Sequence, residues 1–172
     1  MPDQPARRAY VGIGANLGDA RATLAAALTA LAALPGCWLV KASASYRSAP
    51  VNASGPDFIN AVAALDTTLA PLALLAALQA IELQFGRQRP YANAPRTLDL
   101  DLLLHGDALL QTPALTLPHP RLHQRAFVLQ PLLEIAPDLA APGLGLLAGW
   151  LPGTADQPIE KLTPPQSPVN RR

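Results

Sequence analysis

The stretch CWLVKASASYRSAPVNASGPDFINAVAALDT, residues 37–67, decides the fold class. Residues 37–48 alternate well enough between apolar and polar side chains to predict a strand, and residues 58–67 predict another. The intervening segment, residues 49–57, holds two prolines and a glycine and predicts a surface loop. A parallel, doubly wound sheet needs a helix between successive strands, and this region offers none. The stretch therefore favours an antiparallel sheet.

The flanking segments complete the pattern. Residues 9–14 predict a strand, and residues 19–34 predict a helix with Asp19 as its N-cap. Residues 71–85 predict a second helix, and residues 97–105 predict the last clear strand. The order strand, helix, strand, strand, helix, strand predicts an α+β fold. Its core would be a ferredoxin-like split βαβ unit, an antiparallel sheet with helices on one face.

The remaining segments predict additions to this core. Residues 108–117 predict a hairpin arm, and AFVLQPLLEIAP, residues 126–137, predicts a short C-terminal helical appendage that Pro131 either breaks or begins. We expect one domain over residues 1–151. Residues 152–172 are polar and rich in proline, which predicts a mobile tail.

Composition excludes several classes of function. The chain has 172 residues and a net charge of +1, which gives no field that favours a nucleic acid or a membrane as partner. Cys37 is the only cysteine, so an intramolecular disulfide is impossible and a reducing compartment is expected. The first residues lack the apolar run of a signal peptide, and no long apolar run follows. We expect a cytoplasmic protein.

The last strand carries a pair of carboxylates. In TLDLDLLLH, residues 97–105, Leu98, Leu100 and Leu102 are predicted to point to one face while Asp99 and Asp101 point to the other. Two residues of strand span about 6.6 Å, so a cation can lie between the carboxylates. Magnesium prefers such oxygen ligands. A solvated strand face is the alternative.

Three arginines border the loop before this strand. Arg87, Arg89 and Arg96 have planar guanidinium groups that suit phosphate oxygens. A soluble basic loop, or simple pairing of the arginines with the aspartates, is the alternative. Metal ligands beside cationic donors are nevertheless the combination that phosphoryl transfer requires.

Two other motifs predict less. GIGANLG, residues 12–18, has the spacing GxGxxxG with no acidic residue about 20 positions later, so a tight strand-to-helix turn is favoured over a dinucleotide site. His119 and His123 have helical spacing, but they lack the HExxH pattern and Pro120 lies between them. Zinc is therefore not expected, and His119 is better suited to donate to a phosphate.

The chain resembles the 6-hydroxymethyl-7,8-dihydropterin pyrophosphokinase family of folate biosynthesis. The resemblance runs from about Tyr10 to Leu139, in the segments GANLGD, SYRSAPV, DFINAV, IELQFGR, PRTLDLDLLL and HPRLHQRAFVLQPL. It implies a ferredoxin-like fold, ATP as co-substrate, two magnesium ions and a reduced pterin whose hydroxyl attacks the β-phosphorus. AMP would leave. We also expect a monomer that binds neither nucleic acid nor membrane.

The resemblance also implies roles for individual residues. Asp99 and Asp101 would bind metal, and both would act in catalysis together with Arg87 and Arg96. The residues expected to contact ATP are Gln79, Glu82, Arg89, Arg96, Leu102, Thr116, His119 and Arg125. Those expected to contact the pterin are Ser48, Ala49, Val51, Phe58, Asn60 and Phe127.

The chain departs from the family in the loop after Arg89. Tyr91 stands near the place where some members have a tryptophan before GPR, so the resemblance does not extend to stacking from this loop. Two rival functions stay open at this point. One is an ordinary kinase that transfers the γ-phosphoryl group, and the other is a non-catalytic ferredoxin-like module that binds a small ligand and regulates a partner.

Overall fold

A computed structural model describes residues 5–49, 56–86 and 98–163. The helices are α1 (Ala20–Ala32), α2 (Pro71–Gly86) and α3 (Ala126–Ile135), with 3-10 helices at Leu122–Gln124 and Leu147–Thr154. The strands are β1 (Arg7–Ala15), β2 (Cys37–Ala42), β3 (Tyr46–Ser48), β4 (Phe58–Thr67), β5 (Asp99–His105), β6 (Leu110–Gln111), β7 (Thr116–Leu117), β8 (Ala140–Ala141), β9 (Gly145–Leu146) and β10 (Ile159–Lys161).

The main sheet is antiparallel throughout. Its strand order is β10-β3-β4-β1-β5, and β2 also pairs with β4. The α+β class and the antiparallel sheet are therefore confirmed. The helix N-cap at Asp19 is confirmed as well, because its carboxylate accepts a hydrogen bond from the Ala22 amide at 3.1 Å. The predicted hairpin arm is present as the β6–β7 pair.

The single strand predicted over residues 37–48 is two strands, β2 and β3. The break begins at Ser43, whose amide donates to the Val62 carbonyl while its hydroxyl oxygen accepts from the Val62 amide, both at 2.9 Å. The side chain thus takes a ladder bond that the backbone would otherwise make. In the sequence, apolar and polar residues continue to alternate across the break, so the periodicity could not reveal it.

Helices cover both faces of the sheet. Side chains of α1 and α2 pack on one face against alternate residues of β1 and β4, such as Val11 and Leu65. The opposite face packs against α3 through residues such as Val62 and Leu129. The prediction of helices on one face therefore describes only α1 and α2. Because α3 is apolar on its inner side, it buries the face that a two-helix core would leave in water.

Pro131 neither breaks nor begins α3, since it lies in the interior of the helix. Proline has no N–H and removes one internal hydrogen bond, at a cost of about 3 kcal/mol. Pro131 is buried, and its neighbours Val128, Leu129 and Leu132 pack in the core between α3 and the sheet. Burial of this apolar side offsets the cost, so the helix continues to Ile135.

The segment after Pro152 differs from the predicted mobile tail as far as Thr163. Ile159–Lys161 pair with β3 as strand β10, and the Leu162 side chain joins the core with 8% exposure. The backbone of β10 pairs with the outer edge of β3, and burial of the Leu162 side chain holds the segment against the core. Residues 164–172 lie outside the described residues. Among the described residues, every helix is too short or too polar to span a bilayer.

Candidate active site

A cavity of about 240 Å³ lies on the side of the sheet that carries α3. Strands β1, β3, β4 and β5 and the first turn of α3 meet around it. Its lining residues are Gly12, Ile13, Gly14, Ser48, Ala49, Phe58, Asn60, Ala61, Asp99, Asp101, Arg125, Phe127 and Val128. Seven of these thirteen were expected from the sequence to contact pterin or metal, and Arg125 was expected to contact ATP.

Asp99 and Asp101 both face this cavity. The leucines that alternate with them, Leu98, Leu100 and Leu102, are buried in the core formed with α1 and α2. The alternation predicted for this strand is thus confirmed, and it directs the two carboxylates to the same side of β5. Both carboxylates are partly exposed, which keeps them accessible to a cation.

Asn60 and Ser48 form a buried polar pair in the cavity wall, with exposures of 4% and 6%. The Asn60 amide nitrogen donates to the Ser48 hydroxyl at 2.8 Å. This bond fixes which end of the amide is the donor and leaves Oδ1 as an acceptor on the other side. Such a pair presents directed hydrogen-bonding groups beside an apolar surface.

Arg125 and Phe127 enter the cavity from the start of α3. The Arg125 guanidinium carbon lies 5.4 Å from the centroid of the Phe127 ring, within the range of a cation–π contact. Burial lowers the pKa of Arg125, the charge of Arg121 lowers it further, and Asp101 opposes both. Arginine stays protonated at neutral pH regardless, so a fixed positive charge faces the carboxylates.

His119 adjoins this group without lining the cavity. Its Nδ1 accepts a hydrogen bond from the Arg121 amide at 3.1 Å, so the ring proton of the neutral form lies on Nε2. Burial lowers the pKa of His119; Asp101 raises it, and Arg125 and Arg121 lower it. The neutral ring with a donor at Nε2 is therefore favoured near neutral pH.

Four other residues predicted to contact ATP lie apart from the cavity. Glu82 Oε2 accepts a hydrogen bond from the Leu100 amide at 2.7 Å, which ties α2 to β5. Gln79 is exposed on α2 and Thr116 is half-buried in β7. The Leu102 side chain is in the core, so only its backbone can reach a ligand. Val51, Arg87, Arg89, Tyr91 and Arg96 lie outside the described residues.

The role of two glycines was not recognised from the sequence. Gly12 and Gly14 lie inside β1 rather than in a turn, and only the later part of GIGANLG turns, where Gly18 has a φ of 59°. Gly12 pairs with Asp101 and Gly14 with Asp99. A side chain at either position would project into the cavity. Two glycines at a spacing of two within a predicted strand were the available signal.

The fold and the cavity define a class of protein. Paired carboxylates beside cationic and aromatic side chains are typical of an enzyme that acts on phosphate groups of a bound nucleotide. The model of the family described as 7,8-dihydro-6-hydroxymethylpterin-pyrophosphokinase (HPPK) matches residues 10–137. The chain belongs to this family.

Curated relatives agree with this assignment, and a solved structure shares the fold. A 2-amino-4-hydroxy-6-hydroxymethyldihydropteridine pyrophosphokinase of Pseudomonas aeruginosa is 50% identical over 157 residues, which cover 91% of this chain and 97% of that protein. A protein of the same name from Haemophilus influenzae is 43% identical over 157 residues, covering 91% and 98%. A Plasmodium falciparum HPPK-DHPS structure with SDX-DHP matches with a TM-score of 0.71 at 14% identity, over 87% of this chain. The chain spans 46% of that solved protein, and the likeness concerns the fold.

Proposed function

We propose that this chain transfers a diphosphate group from ATP to the hydroxymethyl group of 6-hydroxymethyl-7,8-dihydropterin in folate biosynthesis, releasing AMP. The cavity carries the proposal, because one wall suits a flat heterocycle and the other suits polyphosphate. Family membership and the name of the Pseudomonas aeruginosa relative, which is 50% identical, support it. In the reaction the hydroxyl oxygen bonds to the β-phosphorus, and the bond from that phosphorus to the α,β-bridging oxygen breaks. The bridging oxygen leaves with AMP, and the hydroxyl proton is released.

The pterin would occupy the wall formed by β3, β4 and α3. Phe58 and Phe127 offer ring surfaces for the flat heterocycle, and the Asn60 amide offers a directed acceptor to its amino and amide edge. Ser48 holds that amide in place, and Ala49 leaves room beside it. Val51 is proposed as a further contact from the adjoining segment. This arrangement selects a planar molecule with hydrogen-bond donors on one edge.

Asp99 and Asp101 are proposed to hold magnesium. The two side chains suit this ion, because both carboxylates lie on one face of β5 and line the same cavity. Their positions are about 6.6 Å apart along the strand. We propose two ions, in keeping with the resemblance. When bound, magnesium would neutralise negative charge on the phosphate oxygens. The protein's own contribution is the rigid placement of both carboxylates by β5, which is paired with β1 over Gly12–Gly14.

The cationic side of the site is proposed to hold the phosphates. Arg125 presents a permanent charge toward Asp101, and the His119 Nε2 proton is a directed donor. Arg89 and Arg96 are proposed as further phosphate contacts, and Arg87 and Arg96 as residues that assist the chemical step. Gln79, Glu82, Thr116 and the backbone at Leu102 are proposed to contact ATP. Such donors stabilise charge that develops during transfer.

Three broader proposals accompany this function. The core is proposed to be a ferredoxin-like unit, which is supported by the order β5-β1-β4 with β2 and β3 beyond β4. We also propose a cytoplasmic location, because ATP is the co-substrate and Cys37 is the only cysteine, and a monomer, in keeping with the family resemblance. Neither a nucleic acid nor a membrane is proposed as a partner.

The identity of the nucleotide product tests the proposed function. Purified protein is incubated with ATP, magnesium and 6-hydroxymethyl-7,8-dihydropterin, and nucleotides are separated by chromatography. AMP formation that requires both magnesium and the pterin is expected. Formation of ADP would support an ordinary kinase instead, and absence of any nucleotide turnover would support the non-catalytic binding module.

A further inference from the structure

The turn that leads into α3 lacks a cap of its own. Arg125 occupies the N-cap position in an extended conformation, with φ −124° and ψ 120°, and its side chain makes no capping hydrogen bond. The first amides of a helix have no partner within the helix and need one elsewhere. Because Arg125 and Phe127 both line the cavity, the position of this turn determines where their side chains lie.

Gln157 supplies the missing partner from the C-terminal segment. Its Oε1 accepts a hydrogen bond from the Ala126 amide, and its Nε2 donates to the Gln124 carbonyl, both at 2.8 Å. The two hydrogen bonds hold the backbone in place on either side of Arg125. A primary amide side chain accepts through its oxygen and donates through its nitrogen without carrying charge, which is what these two bonds require.

Gln157 is itself held in place. Its backbone amide donates to the Thr154 carbonyl at 3.0 Å, and Thr154 is buried. Two residues later, β10 pairs with β3, the strand that carries Ser48. The C-terminal segment therefore links the two sides of the cavity mouth, β3 and the start of α3.

We propose that Gln157 is a positioning residue for the site: it fixes the backbone around Arg125 and thereby aims the Arg125 and Phe127 side chains into the cavity. The expected effect on kinetics rests on the proposed function. The expected effect on the position of the backbone rests only on the two hydrogen bonds. Gln157 thus gives the segment after Pro152 a role in the reaction, although none of that segment's described residues, which end at Thr163, lines the 240 Å³ cavity.

Substitution of Gln157 by a side chain of similar size without hydrogen-bonding groups tests the kinetic consequence. Gln157→Leu is expected to lower kcat/KM for ATP about tenfold, which corresponds to about 1.4 kcal/mol. Gln157→Glu keeps the acceptor for the Ala126 amide and is expected to restore part of the loss. Glu160→Gln is the matched control, because Glu160 lies on β10 and its carboxylate pairs with the exposed side chain of Arg47, away from the start of α3; it is expected to retain the wild-type kcat/KM.

A double substitution separates positioning from general stability. If Gln157 acts through Arg125, Gln157→Leu costs little further activity once Arg125→Ala is present. Equal losses in the wild-type and Arg125→Ala backgrounds would overturn the proposal, as would an unchanged kcat/KM in Gln157→Leu. Hydrogen exchange of the Ala126 amide, measured by NMR, reports on its hydrogen bond to Gln157 independently of turnover. Faster exchange at Ala126 in Gln157→Leu is expected even if the wild-type protein forms no AMP, and unchanged exchange would overturn the proposal.

Discussion

Gly14 lies directly opposite Asp99 in the pairing of β1 with β5, and on its other side it lies opposite Asn60 of β4. The glycine thus separates a carboxylate proposed to bind metal from an amide proposed to bind the pterin. A Cβ atom added at Gly14 would lie 3.1 Å from Asn60 Oδ1, closer than an ordinary contact. The absence of a side chain at this position is what lets the two groups open to one cavity.

Gly14→Ala is therefore expected to weaken pterin binding. Asn60 is held by Ser48 and is buried, so the added methyl group must displace an amide that has little freedom to move. We expect Kd for the pterin to rise about tenfold, or about 1.4 kcal/mol. Titration calorimetry with the pterin measures this. In Gly12→Ala the added carbon meets only Leu103, at 3.6 Å, and the effect should be smaller; a larger effect there would contradict the explanation.

Asp99→Asn and Asp101→Asn are expected to remove magnesium-dependent turnover while leaving the fold intact. Each keeps the size of the side chain and removes its charge, and metal binding supplies several kcal/mol of charge stabilisation. We expect kcat to fall by more than about 100-fold. Steady-state assays at varied magnesium, with circular dichroism as the test of folding, measure both consequences. Retained magnesium-dependent turnover in either variant would be decisive against the metal assignment.

Arg125→Met is expected to weaken ATP binding more than Arg125→Lys does. Lysine keeps the charge but loses the planar fork, whereas methionine loses both. A hydrogen bond to a charged group contributes about 1.5–3 kcal/mol, so Kd for ATP should rise about 10- to 100-fold in Arg125→Met. Arg8→Met is the control, because Arg8 pairs with Asp66 at the other end of β1. Equal ATP affinity in Arg8→Met and Arg125→Met would refute the assignment.

Tyr46 is expected to make stability depend on alkaline pH. Its hydroxyl donates to Glu134 Oε1 at 2.6 Å, joining β3 to α3. Burial chiefly, and then the Glu134 carboxylate, raise the pKa of Tyr46 above its ordinary value of about 10. A raised folded-state pKa means that this contribution is present below about pH 10 and is lost as the pH rises further.

The comparison of wild type with Tyr46→Phe isolates that contribution. At about pH 8 the substitution should lower the free energy of unfolding by about 1.5 kcal/mol, since it removes a hydrogen bond to a charged group. Between about pH 10 and pH 11.5 the wild type should lose stability more steeply, so that the difference shrinks. Urea unfolding across this range measures it. A difference that stays constant with pH would contradict the cause assigned to the shift.

The parts of the fold that were predicted from the sequence are those with long, regular side-chain periods. The helix that begins at Pro71 and the alternation of Asp99 and Asp101 with buried leucines depend on local geometry, which a sequence pattern records directly. The strand break at Ser43 and the pairing of β10 with β3 depend on partners distant in sequence. No local period marks such contacts.

The site divides in the same way. The carboxylate pair followed from a strand period, whereas the assignment of Asn60 and Phe127 to the pterin came from family resemblance. Gln157 could be found by neither route, because its two hydrogen bonds join a side chain to backbone groups more than 30 residues earlier. Every residue type has a backbone N–H or C=O group to offer, so residues 124 and 126 carry no sequence signal of their contact with Gln157.

The fate of the β-phosphorus tests the central claim most directly. ATP labelled with radioactive phosphorus at the β-position is incubated with the protein, magnesium and 6-hydroxymethyl-7,8-dihydropterin, and the products are separated. The account predicts that the label moves to the pterin product in step with the formation of unlabelled AMP. Label that remains in the nucleotide as ADP, with none on the pterin, would contradict it.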